Sequence, residues 1–159
     1  MRRWFAMRPA PLVLALLFAA PAFADDWKRY ENGRFGYGID VPPAFTWGRE
    51  SDNGDGRAFR DGVRRLSVWG GNIVEGDFES AAHAAIGYAT GEAWNITYEA
   101  VAPDWLSYSA TQGVRVRYER MVALCDGQYA AFRLEYPASD IGRMNPVVER
   151  LVETLTGGC

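Results

Sequence analysis

Two Asp-Gly pairs divide this chain into extended runs that must turn back on themselves. Asp61-Gly62 lies inside RAFRDGVRRLSVWG, and Asp126-Gly127 lies inside VRVRYERMVALCDGQYAAFRLEYP. Both residues of such a pair tolerate positive φ, which the tight turns of β-hairpins demand. Each pair therefore predicts an antiparallel hairpin, and the second places Cys125 at its end. Before that second turn, Val114, Val116 and Tyr118 alternate with Arg115, Arg117 and Glu119, giving one apolar and one charged face. Earlier, Phe35, Tyr37, Ile39 and Val41 alternate with Gly36, Gly38 and Asp40 until Pro42-Pro43 stops the strand. A short aromatic piece follows around Phe45 to Trp47. Trp94, Ile96, Tyr98 and Ala100 share a face of a further strand, Pro103-Asp104 turns the chain, and Trp105 to Thr111 returns beside it.

Two stretches break this period of two. Phe78, Ala81, Ala82, Ala85, Ile86 and Ala89 recur on one face of a helix, with Asp77 as N-cap and Gly91 as the stop. Asn145-Pro146 reads as an N-cap followed by proline at the first helical position. Val148, Leu151, Val152 and Leu155 then form a buried stripe, and Gly157-Gly158 ends it. These elements define a single α+β domain, an antiparallel sheet of about six to seven strands packed with two main helices.

The N-terminus has a different logic. Met-Arg-Arg and Arg8 precede the apolar run PLVLALLFAAPAFA, which closes on Ala22-Phe23-Ala24. A cationic start, a short apolar core and a small-x-small end make a secretory signal peptide. The core is far shorter than the ~20 residues of a spanning helix. Residues 1–24 are thus expected to be removed and residues 25–159 to form the domain, with no membrane span after cleavage. Loss of Arg2, Arg3 and Arg8 leaves 14 cations against 20 acids. A mature charge of about −6 disfavours nucleic acid as a partner. Cys125 and Cys159 both remain in the mature part. In the oxidising periplasm or outside the cell, an isolated pair is expected to form a disulfide.

The segments WKRYENGRFGYGIDVP at 27–42, NGDGRAFRDG at 53–62, RLSVWGGN at 65–72, ITYE at 96–99, LEYP, and NPVVERLVETL resemble uncharacterised secreted proteins of proteobacteria. Their layout is similar to the PsbP-like fold. That resemblance implies an antiparallel sheet between helices. It also implies action by binding proteins, as members of the fold do in photosystems or beside a small GTPase. It transfers no functional residue.

The stretch Ser51–Gly56 mimics a calcium loop, but aligning Gly56 to the obligatory glycine puts Ser51 at the first ligand position and Gly62 where a bidentate Glu belongs. It reads as a turn. His83 is the one histidine and lies off the apolar stripe of its helix, so neither a histidine metal site nor a triad is expected. Ser67, Ser107 and Ser109 lie in strand patterns without a nucleophile elbow. Glu50, Asp52 and Asp55, or Glu99 and Asp104, are the acid groups on which a glycosidase reading rests. The sequon at Asn95 falls within a strand. No metal and no cofactor is expected.

Aromatics remain. In Trp69-Gly70-Gly71-Asn72 a large ring stands beside two glycines, and Trp105 adds a second indole. These five residues are the candidate binding set; the alternative is that the indoles fill the gap between sheet and helices. The expected function is a periplasmic or secreted, non-catalytic domain that binds a protein or envelope component. The alternative is a carboxylate-dependent envelope glycan hydrolase.

Overall fold

The computed structural model describes residues 26–158. The expected leader at 1–24 and Cys159 therefore lie outside the described residues.

The chain runs β1 (Lys28–Asn32), β2 (Tyr37–Val41), β3 (Thr46–Glu50), β4 (Gly56–Asp61), β5 (Arg64–Asn72), α1 (Phe78–Gly91), β6 (Asn95–Ala102), β7 (Trp105–Gln112), β8 (Arg115–Ala123), β9 (Gln128–Pro137), α2 (Ile141–Thr154) and β10 (Thr156–Gly157). Seven strands form one antiparallel sheet in the order β3-β4-β5-β9-β8-β7-β6, and β1, β2 and β10 form a small second sheet. This is an α+β domain, as the alternating pattern and two helical stripes require.

The two faces of the large sheet are covered unequally. On one face, Phe59, Leu66, Val68, Val116, Phe132 and Leu134 pack with residues of the small sheet, with Met144 and Leu151 of α2, and with Leu155 just past its end. On the other, α1 sets Phe78, Ala82 and Ala89 against Leu106, Tyr108, Ala110, Met121 and Ala131. A fully buried large apolar side chain is worth about 1.5–3 kcal/mol, so each cluster holds its helix in place. Because the two clusters are offset along the sheet, each face keeps an uncovered half.

Two local expectations are corrected. The first hairpin turns on Gly62-Val63, because Asp61 still pairs with Arg64. Gly62 supplies the positive φ of 57° there. α1 ends at Gly91 as expected, and the left-handed backbone that follows falls at Ala93, with φ 64°. The second helix starts before Asn145, since a 3-10 turn at Ala138–Asp140 leads into Ile141 and Pro146 lies inside α2. Asp140 is anchored at that entry by Arg64 at 2.8 Å, and burial of Met144 secures the first turn; together they outweigh the hydrogen bond that Pro146 cannot donate. The charged face of β8 turns inward. Arg117 and Glu119 are buried, because α1 lands on that side of the sheet.

Other expectations hold in detail. Asp77 caps α1 by accepting a 2.9 Å bond from the Ser80 amide. Asp126 and Gly127 both take positive φ, and Cys125 stands at the hairpin end, where the Gln128 amide donates to its carbonyl. Ser51–Gly56 is a self-contained turn: the Ser51 hydroxyl and the Asn53 amide donate to Asp55 at 2.6 and 2.9 Å. Both carboxylate oxygens of Asp55 are thus engaged, and these bonds hold its pKa below the ordinary range.

Candidate functional site

A cleft of about 680 Å³ lies where α1 overhangs the uncovered half of its sheet face. Trp69, Met121, Tyr129, Glu119 and Arg133 line it from the strands, and Ser80, Ala81, Ala84, Ala85 and Tyr88 line it from α1. Residues Asn72 to Glu75, between β5 and α1, close one end.

The strand residues meet there because of register. Ala131 of β9 pairs with both Trp69 of β5 and Met121 of β8, and Arg133 pairs with both Ser67 and Glu119. Side chains in such a row point to the same face. Arg133 Nε donates to Glu119 at 2.7 Å, and the Tyr108 hydroxyl donates to the same carboxylate oxygen at 2.9 Å. The Arg133 guanidinium also stands over the Trp69 ring, 5.4 Å from its centroid. Beside this group, Arg117 holds Glu135 at 2.8 Å and Glu92, just past α1, at 2.9 Å, and lies over Trp94. The ladder of charges pins the end of α1 to the sheet and fixes one wall of the cleft.

Burial, reinforced by the Glu119 carboxylate, pushes the Tyr108 hydroxyl far above the usual tyrosine range. Burial raises Tyr37, Tyr30 and Tyr136 as well. A tyrosine harder to ionise in the folded state contributes stability that is whole below its unfolded pKa of about 10 and is lost as pH rises above it. An alkaline titration is therefore expected to show four of the eight tyrosines ionising only as the near-ultraviolet dichroism collapses. Eight tyrosines ionising together, with the fold intact, would contradict these environments.

The five candidate binding residues do not form one surface. Trp69 and Asn72 line the cleft. Gly70 and Gly71 make room for other rings: a Cβ at Gly70 would stand 2.6 Å from Phe35, and one at Gly71 would stand 2.6 Å from Tyr129. Trp105 lies on the opposite face, because its neighbour Leu106 points toward α1. Both indoles are half-buried. His83 is exposed. Tyr88, Glu119, Tyr129 and Arg133 were not singled out from the sequence. Tyr88 did carry a signal, an aromatic off the apolar stripe of its own helix. Among the described residues, no group of three or more His, Cys, Asp or Glu side chains is placed to hold a metal ion. No described helix is long and apolar enough to cross a membrane.

The sequence matches no known family profile and no curated protein. The structure is similar to the solution structure of cyanobacterial PsbP (CyanoP) from Synechocystis sp. PCC 6803, with a TM-score of 0.63 and 13% identity over 90% of this chain and 99% of that one. The protein thus has a PsbP-like α+β fold. At that identity the likeness describes the fold alone.

Proposed function

We propose that the protein is a secreted, periplasmic, non-catalytic domain that binds another protein or an envelope component through the cleft beside α1. The observation that carries this reading is the apolar rim: Val74 is 90% exposed and Tyr88 76% exposed, and both line the cleft with half-buried Trp69. An aromatic anchor beside a concave, partly apolar surface is the usual core of a protein-binding site. Two of the three acids that line the cleft are tied up in ion pairs, which favours binding over hydrolysis: Glu119 is held by Arg133 and Tyr108, and Glu92 by Arg117.

The test is capture from periplasmic extract after reversible crosslinking, with wild-type protein, Tyr88→Ala and Trp69→Ala. A partner retained by wild type and lost from Tyr88→Ala, a surface change that leaves the core intact, is expected. Identical capture by all three proteins, or turnover of a glycan substrate abolished by one acidic substitution, would overturn the reading.

Secretion and a Cys125–Cys159 disulfide belong to the same proposal. The leader supports the first. The approach of Cys125 Sγ to 3.1 Å from the Gly158 carbonyl oxygen supports the second. The exported protein is expected to begin at Asp25 by mass and to show no titratable thiol when denatured without reductant. Reduction of a bridge closing about 34 residues should cost about 3–4 kcal/mol in urea unfolding. Two titratable thiols would refute the bridge.

A further inference from the structure

The uncovered half of the opposite sheet face carries Arg120 of β8. Rows of paired residues place it beside Ser107 of β7 and between Trp105 and Tyr118. None of Trp105, Ser107 and Arg120 belongs to either apolar core. The guanidinium lies over the Trp105 ring, 4.5 Å from its centroid, and Nη1 donates to Ser107 Oγ at 3.0 Å. Its Nε is the one buried side-chain nitrogen or oxygen without a hydrogen-bond partner among the described residues.

The contrast with the other arginines is what gives this weight. Every other buried or half-buried arginine described holds a carboxylate: Arg57 on Glu50, Arg64 on Asp61 and Asp140, Arg115 on Glu135, Arg117 on Glu92 and Glu135, Arg133 on Glu119, and Arg150 on Asp40. Arg120 has no carboxylate within ion-pairing distance; Asp104 acts on it only from farther off, and burial, the larger influence, disfavours its charge. A guanidinium offers five donors in a fork that matches a planar carboxylate. Stacking on an indole orients that fork and shields it from water.

We propose that Arg120 and Trp105 form a binding site for the carboxylate of a peptide ligand, which takes the Nη N–H groups that Ser107 leaves unused while Nε stays covered. Tyr98, half exposed, and Tyr118 flank the site and supply apolar contact for the residue bearing that carboxylate. A protein of net negative charge repels a polyanion at long range, so a discrete carboxylate is the better match. This site stands on the face opposite the α1 cleft and does not depend on the function assigned to that cleft.

The test follows the Nε–H resonance of Arg120 and the indole resonance of Trp105 in the mature protein. The probes are three short peptides: one with an aspartate side chain and an amidated end, one with a free C-terminal carboxylate, and one with neither. Inorganic phosphate serves as a fourth probe. Saturable shifts are expected with at least one carboxylate peptide, none with the neutral peptide, and none in Arg120→Met. The two carboxylate peptides distinguish a side-chain from a terminal source. Arg120→Met should keep the near-ultraviolet dichroism of the folded wild type, so that its missing shifts report the lost guanidinium. Absence of shift with both carboxylate peptides, a shift with phosphate alone, or shifts retained in Arg120→Met would overturn the proposal.

Discussion

Glu119→Ala is expected to destabilise the protein by about 3–5 kcal/mol, the range found when one partner of a buried charged pair is removed. Glu119 is 1% exposed. Its carboxylate is the shared acceptor for Arg133 and Tyr108. Alanine would leave a guanidinium and a hydroxyl facing each other without an acceptor at the floor of the cleft. The loss should appear as a lower urea midpoint with little change in the slope. Removing the cation as well, in Glu119→Ala with Arg133→Met, should recover part of it, because the penalty comes from the uncompensated charge. A loss below about 1 kcal/mol in the single variant would mean that water reaches Arg133 freely, and the cleft floor would have to be redrawn. Since Glu119 and α1 line the same cleft, the same substitution should reshape that wall and weaken any partner held against Tyr88.

The second large effect concerns backbone. Gly56→Ala is expected to cost about 3 kcal/mol, at the upper end of the range for overpacking. A Cβ there would lie 2.0 Å from the Val68 carbonyl oxygen and 2.7 Å from the Trp69 Cα. Both contacts are to main chain in the strand that carries Trp69, so no side chain can swing aside. Relief requires β4 to move away from β5 and breaks the pairing of Gly56 with Trp69. Gly157→Ala makes a useful contrast. Its Cβ would meet only the Leu124 side chain, at 1.9 Å, which can rotate, so a smaller loss is expected. Equal urea midpoints for Gly56→Ala and wild type would show that β4 is not pressed against β5.

Both results bear on how the uncovered sheet halves persist. They are not left over from poor packing. On the α1 side, charge pairs across β8 and β9 replace apolar contacts where the helix ends. On the α2 side, Arg120 and Trp105 cover Ser107, which is buried. A sheet face so finished is stable in water yet still offers rings and hydrogen-bond donors to a ligand.

Local chemistry was legible in the sequence. The turn at Asp126-Gly127, the Asp77 cap, the stripes of both helices, the Pro103-Asp104 turn and the α+β class all follow from interactions within a few residues of chain. The start of α2 did not follow, because Asn145-Pro146 satisfies a local capping rule that Met144 burial and the Arg64–Asp140 pair override from far away. The fate of Arg117 and Glu119 was equally hidden. Their alternation with apolar residues shows that β8 has two faces, but not that a helix would cover the charged one. That outcome depends on register: Leu124 pairs across Gln128 with Cys125 as an extra residue, which sets Glu119 opposite Arg133 and Arg117 opposite Glu135. A one-residue slip would place each charge opposite an apolar side chain. The complementary charges on the two strands were therefore a readable signal of register, though not of burial. The separation of Trp69 from Trp105 lay furthest out of reach. Period-two alternation assigns each indole a side relative to its own strand, and only the pairing of β5, β9, β8 and β7 through long-range hydrogen bonds decides that those sides are opposite faces of one sheet.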